Sequence, residues 1–541
     1  MSNKNIVLCS DGTGNKGGYG SDSNVYKTYK AVDVTSGKAH QFTFYDQGVG
    51  TDKSDTSKNK YWTAMSGAFG FGFQKNVLHL YHFLARCYVP GDNIFLFGFS
   101  RGAATVRAFA GFLNACGLID PKHFLKTDGS IDSAVLSGLV KQAMTCYGTG
   151  NPNQHQQFKK QFAFQDPNHA PDGNLKIHFV GVWDTVSALG FPKDFSVLLQ
   201  GFGRSMDWLT DHSPWWKHSF YDYKLNNAIQ NAYHAIAIDD DRETFHPLVW
   251  DERDYDHYVE QVWFAGVHSN VGGGYPRTGM SDVALVWMLE KAMAHGLVIY
   301  DDVLASYRDG ANIYDKLYDS RDGLAMYYRY GPRNLAELSK DSKTGKWLLK
   351  NDADIAIHRS AFRKILEVSE AYAPDGLPPK FNVVDHVFDA NNPPAAAASK
   401  VVLTVDTSAK SAAWQQLSAE ADAVINARKH LYVWFSELTM AIILASWFMW
   451  VYPPDSVTNL TSGGLSGEIS DLLRYLTPVF FENFIRYVVE VHGWISLLML
   501  GTLAALYYRR NSLLNKLDQT CQDMATLIKL VLTAQKNSAQ P

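Results

Sequence analysis

The chain has 541 residues, 46% hydrophobic and 19% charged, with a formal net charge of −4. That composition supplies a large apolar core and excludes a disordered chain, and without a basic surplus no nucleic-acid partner is expected. Five scattered cysteines with no CxxC pair argue against a disulfide framework and a thiolate metal site, as in a chain made in the cytoplasm.

Taken in chain order, the N-terminus enters a short apolar strand at 6–10 with no signal-peptide core, so the general secretory route is not expected. A glycine-rich turn, Asp11-Gly12-Thr13-Gly14-Asn15, follows it. A second strand is predicted at 41–45 and a helix at 74–88, from apolar residues at helical spacing. Residues 93–98 read as a buried strand and 102–116 as a helix; further buried strands are predicted at 175–183 and 258–267. Strands apolar on both faces, alternating with helices, predict an α/β fold with a mostly parallel sheet covered on both sides. Residues 120–175 and 190–230 are polar and turn-rich and read as insertions, and 391–410, opening on Asn391-Asn392-Pro393-Pro394, as a linker. This divides the chain into a catalytic domain over 1–390 and a helical region over 411–541.

Within that last region, residues 431–452 and 491–508 are apolar runs with tryptophan or tyrosine near their ends and cations outside them, Arg428-Lys429-His430 and Arg509-Arg510. The first, at about 1.5 Å per residue, can cross a hydrocarbon core of about 30 Å. The pair therefore reads as a transmembrane hairpin with its cationic ends cytoplasmic and 453–490 on the far side. Glu437 favours the contrary expectation of helices buried in a large soluble domain, because a carboxylate at that depth is costly unless paired.

The sharpest chemical signal is Gly98-Phe99-Ser100-Arg101-Gly102, a G-x-S-x-G sequence between a strand and a helix. Such a turn lifts the serine hydroxyl to a helix N-terminus, with Gly98 and Gly102 allowing the tight backbone. A serine needs a base, and the base an orienting acid. Asp184 ends the strand 177–183, and His268 follows the strand 262–267 and leads into Val271-Gly272-Gly273-Gly274. The order Ser, Asp, His is that of the α/β-hydrolase arrangement. Asp240, Asp241 and Asp251 are rival acids; His79, His82, His178, His234, His246 and His257 lack the same strand-to-loop setting. An oxyanion hole is expected from the Arg101 amide and one from Gly12 or Thr13. No His/Glu cluster has metal-ligand spacing, so no metal or cofactor is expected.

These segments, with Val182-Trp183-Asp184-Thr185-Val186, Gly266-Val267-His268-Ser269 and Tyr45-Asp46-Gln47-Gly48-Val49-Gly50-Thr51, resemble the DUF2235 domain, the catalytic domain of type VI secretion lipase effectors of the first Tle class. The resemblance covers roughly residues 4–330. It implies an α/β-hydrolase with phospholipase activity, commonly A-type, and a triad at Ser100, Asp184 and His268. It also implies delivery by type VI secretion, with a secretion carrier, an immunity protein and a phospholipid membrane as partners. Asn270 departs from the family, which often has Asp after His-Ser. A membrane-tethered esterase for other acyl esters and a catalytically silent membrane scaffold are the alternative expectations.

Overall fold

A computed structural model describes residues 3–48, 68–166, 168–187, 222–350, 355–367, 372–386, 398–458 and 464–538. The apolar run at the N-terminus forms β1 (Asn5–Ser10), buried along its whole length, and α1 (Asn24–Ala31) leads to β2 (Gln41–Asp46). Then come α2 (Ala68–Cys87), β3 (Asn93–Phe99) and α3 (Arg101–Cys116). Two more helices, α4 (Ser133–Gly148) and α5 (Pro152–Phe162), precede β4 (Phe179–Trp183), β5 (Asn231–Ala237) and β6 (Tyr258–Phe264). A short α6 (His268–Gly272), α7 (Gly279–Ala294) and α8 (Asp301–Gly310) follow. The sheet ends with β7 (Ala356–His358), α9 (Arg359–Leu366), β8 (Lys380–Asp385) and β9 (Lys400–Asp406).

These nine strands make one sheet in the order β2-β1-β3-β4-β5-β6-β7-β8-β9, parallel except for β9. Alternation along β1 and β3 feeds two cores. Ile6, Leu8, Ile94 and Leu96 meet α2 and α3 on one face, and Val7, Cys9, Phe95 and Phe97 meet α1 and α7 on the other. Neighbouring β1 and β3 thus send their following helices to opposite faces, which opens a crevice at their carboxyl ends, where open α/β sheets bind ligands. The loop after β1 and Ser100 after β3 both stand there.

Several expectations need correction. Strand β5 and strands β7 to β9 were not anticipated: β5 lies just past the polar 190–230 stretch, and β7 is only three residues long. The strand expected over 175–183 begins at Phe179, because Ile177 makes only a single bridge to Ile229. The strand expected over 258–267 stops at Phe264. The 120–175 segment completes the core instead of standing outside it, since Leu136, Val140 and Phe158 are buried against α2 and α3. Residues 188–221, most of the other expected insertion, lie outside the described residues. The 391–410 linker contains β9, which pairs with β8.

The C-terminal region is not a separate unit at its base. It has α10 (Ser411–Val451), α11 (Gly464–Leu476) and α12 (Gly493–Ser538). Trp414, Met524 and Ile528 are buried in one cluster with Ile236, Ile357 and Phe381 of the sheet. Farther out the pair sheds its burial: Trp434 is 69% exposed and Trp447, Phe448, Trp450, Leu497, Leu498 and Leu500 are exposed as well. That overturns the buried-helix expectation for this stretch. The 431–452 run lies within α10, a helix long and apolar enough to cross a membrane. The 491–508 run passes that test only jointly with residues 479–491, from which α12 turns by 103° at a break.

Candidate active site

Ser100 caps α3 with φ 58° and ψ −124°, and Asp184 has φ 39°. These are the two non-glycine residues with positive φ among the described residues. Such strain persists only where surrounding structure enforces it, and it concentrates at functional positions. At Ser100 the enforcement comes from packing. A Cβ on Gly98 would stand 2.6 Å from the Ala103 Cα, and one on Gly102 would stand 2.1 Å from the Ser10 carbonyl oxygen. The Ser100 amide donates to the Trp183 carbonyl at 3.1 Å, tying the serine turn to the end of β4.

Asp184 follows β4 and is fully buried. Its Oδ2 is 2.5 Å from His268 Nδ1, and its Oδ1 accepts the Ala237 amide at 2.9 Å. Arg333 clamps the same carboxylate from the other side, Nη1 to Oδ1 at 2.7 Å and Nη2 to Oδ2 at 2.8 Å. Burial alone would raise the Asp184 carboxyl, but Arg333 and then His268 outweigh it and hold the group well below the usual carboxylate range. Burial also lowers His268 from its ordinary value, against the opposing pull of Asp184. The imidazole is therefore neutral at neutral pH, with Nδ1 engaged by the acid.

The ring is held by packing. It lies against Phe99, the residue before the serine, with centroids 4.6 Å apart, and Phe245 meets it edge-on at 5.0 Å. The His268 amide donates to Asp240 Oδ2 at 3.1 Å. Ser100 and His268 are 6% and 4% exposed.

The rival acids stand against arginines. Asp240 is occupied by Arg242, Asp251 pairs with Arg253, and Asp241, whose amide donates to the Ser320 hydroxyl oxygen, stands 3.8 Å from Arg428. His234 accepts the Thr185 amide on Nε2 and is pushed down to about 3 by burial, which makes it a neutral brace for the Asp184 turn. His178 bonds the His295 carbonyl, His246 the Gly331 carbonyl and His79 the Asp46 carboxylate. Asn270 accounts for its own departure from the family: its Nδ2 donates to the Lys316 carbonyl at 3.1 Å, which a carboxylate could not do.

On the oxyanion side, the 11–15 loop lies beside the serine, where a Gly12 Cβ would be 3.2 Å from that of Ser100. The Gly12 amide itself donates to Asp11 Oδ1 at 2.7 Å. Asp11 is buried and also takes the Ser23 and Tyr45 hydroxyls at 2.6 Å each. That arrangement removes Gly12 as a donor and leaves Thr13, whose amide and buried hydroxyl have no partner among the described residues. Arg101 begins α3, its guanidinium pushed down to about 10 by burial, near Tyr328.

Arg333 is the site residue that sequence reasoning missed. It sits in the mixed 300–400 stretch after Gly331-Pro332, with no motif around it. Among the described residues there is no cluster of His, Cys, Asp or Glu suited to a metal ion.

Residues 4–291 match the family described as T6SS, phospholipase effector Tle1-like, catalytic domain. The uncharacterized protein YEL023C of Saccharomyces cerevisiae is 26% identical over 273 residues, 47% of this chain and 34% of that protein. The chain thus spans about a third of the length of this relative. Among solved structures, an uncharacterized protein from Pseudomonas aeruginosa aligns at TM-score 0.33 and 14% identity, covering 87% of this chain and 62% of that one. A structure of the Tle1 effector bound to the VgrG spike of the type 6 secretion system aligns at TM-score 0.27 and 17% identity, covering 51% and 52%.

Proposed function

The chain belongs to the Tle1-like family of type VI secretion phospholipase effectors, and from that premise we propose that it is a serine hydrolase of the α/β-hydrolase type that cleaves acyl esters of membrane glycerophospholipids. The observation that carries the proposal is the carboxylate–imidazole pair of Asp184 and His268 at 2.5 Å, packed through Phe99 beside a strained Ser100. Ser100 attacks the acyl carbonyl while His268 Nε2 takes its proton. The resulting oxyanion is met by the Arg101 and Thr13 amides. His268 then protonates the departing lysophospholipid alkoxide. Water, deprotonated by the same imidazole, releases the fatty acid and restores Ser100.

The lipid substrate is supported by the family and by the exposed apolar faces of α10 and α12, which suit a membrane anchor. Delivery by type VI secretion, with a carrier and an immunity protein as partners, follows from the same family reading. A fluorophosphonate probe tests the nucleophile. Covalent labelling at Ser100, lost in Ser100→Ala, is expected. A folded wild-type chain that resists the probe would point to the silent scaffold instead.

A further inference from the structure

A cavity lies where the two long helices leave the sheet. It holds about 320 Å³, within the range of small-molecule sites. Its walls combine Leu431, Phe435, Leu503 and Leu506 with three arginines: Arg428 from α10, Arg510 from α12 and Arg321 from the loop before β7. Two of these are the cations that flank the apolar runs in sequence, so the fold gathers both flanks around one hollow.

Arg428 and Arg321 are held in place. Arg428 Nη1 donates to the Tyr330 hydroxyl at 2.6 Å, and Arg321 donates to the Tyr328 and Met326 carbonyls at 3.2 and 2.7 Å. The nearest carboxylates, Asp241 to Arg428 and Asp319 to Arg510, stand at 3.8 and 3.9 Å and do not line the cavity. Asp375 and Asp518 also act on Arg428 from the side away from the hollow's lining, so the charged groups in the wall itself are the three guanidinium groups, set against an apolar surface. The apolar wall continues onto the exposed faces that begin at Trp434 and Tyr507.

We infer that this cavity binds the head of an anionic glycerophospholipid, its phosphate on Arg321 and Arg510 and its acyl chains running out along α10 and α12. Guanidinium–phosphate contacts suit the head, and the apolar wall suits the glycerol and first methylenes. The inference rests on the membrane reading above but not on turnover. The occupied cavity also touches the site through one loop: Tyr432 on α10 donates to the Tyr327 carbonyl at 2.6 Å, and the adjacent Tyr328 ring meets Phe245, which packs on His268. The bound lipid thereby seats the hydrolase on the bilayer surface at a fixed orientation.

The test uses the full chain carrying Ser100→Ala, in neutral-detergent micelles, with a diazirine-bearing phosphatidylglycerol as probe and peptide mass spectrometry to map crosslinks. Crosslinks are expected at residues 431–435 and 503–507. They should fall about tenfold in Arg321→Gln/Arg510→Gln and stay in Arg321→Lys/Arg510→Lys, the size expected for losing charge-assisted contacts. Circular dichroism checks that each variant is folded, and Leu506→Trp, which fills the hollow without touching the charges, should lower labelling as well. Equal labelling in the Gln and parent chains overturns the inference, as does displacement by inorganic phosphate alone. Crosslinks confined to the neighbourhood of Ser100 overturn it too while leaving the phospholipase proposal standing. Labelling at residues 431–435 and 503–507 with none near Ser100 supports the inference and leaves the phospholipase proposal to the fluorophosphonate test.

Discussion

Asp184 is shared between the Arg333 guanidinium and the His268 imidazole, and that sharing sets the chemistry at the residue scale. In a two-partner arrangement the acid would give its full charge to the imidazole; here Arg333 neutralises much of it. Removing the guanidinium strengthens the hold of Asp184 on a protonated His268, so the pKa of His268 rises. In the wild type, activity needs neutral His268 and should decline on acidification with a midpoint below about 6.5, because burial depresses the group. In Arg333→Met the midpoint of that acid limb should move to higher pH. A kcat/KM profile against pH reads this directly, and an unshifted limb would show that Arg333 serves packing alone. The substitution also breaks a buried ion pair, a loss of about 3–5 kcal/mol, and Arg333→Lys should recover part of it in denaturant unfolding. The elbow glycines make a separate stability prediction. Gly102→Ala forces a Cβ against the Ser10 and Asp11 carbonyl oxygens, and should lower unfolding free energy by about 1–3 kcal/mol. Gly138→Ala, where an added Cβ meets nothing within 4 Å, is the control.

The elements differed in how much they revealed in advance. The strands β1, β3, β4 and β6 are strongly apolar and flanked by turns, and their pattern is written in the sequence. The serine, acid and histidine were legible because each follows one of these strands. Strands β7 and β9 were not: β7 has three residues, and β9, although it holds Val401-Val402-Leu403, lies within the 391–410 stretch whose Asn-Asn-Pro-Pro opening reads as a linker. Arg333 was hidden for a related reason, since an ion pair across 149 residues leaves no local signature. The packing at the base of the helices decides what a truncation does. Cutting the chain at 400 strips β9 and Trp414 from the sheet and should yield aggregate. Replacing residues 434–508 with a short polar loop leaves the buried bases of α10 and α12 in place. That variant should move from the membrane pellet to the supernatant on fractionation while still reacting with a fluorophosphonate. Continued pelleting of a folded variant would remove these helices as the anchor.

Across the whole molecule, the α/β sheet and the helix pair are joined at the base and diverge toward their tips. The sheet's carboxyl-end crevice carries the candidate triad, and the outer α10 and α12 carry the exposed apolar surface. Glu437 lies on the exposed side, about two and a half turns beyond Arg428, where in the proposed anchor its side chain can reach back toward the headgroups. In the proposed function, the bond broken at Ser100 belongs to a molecule drawn from the membrane that α10 and α12 would occupy. The most direct measurement is mass spectrometry of mixed glycerophospholipids incubated with the wild type and with Ser100→Ala. Wild type should release free fatty acid and lysophospholipid, and Ser100→Ala should lose at least about a thousandfold of that turnover. Equal product from both chains, or none from folded wild type, would contradict the account.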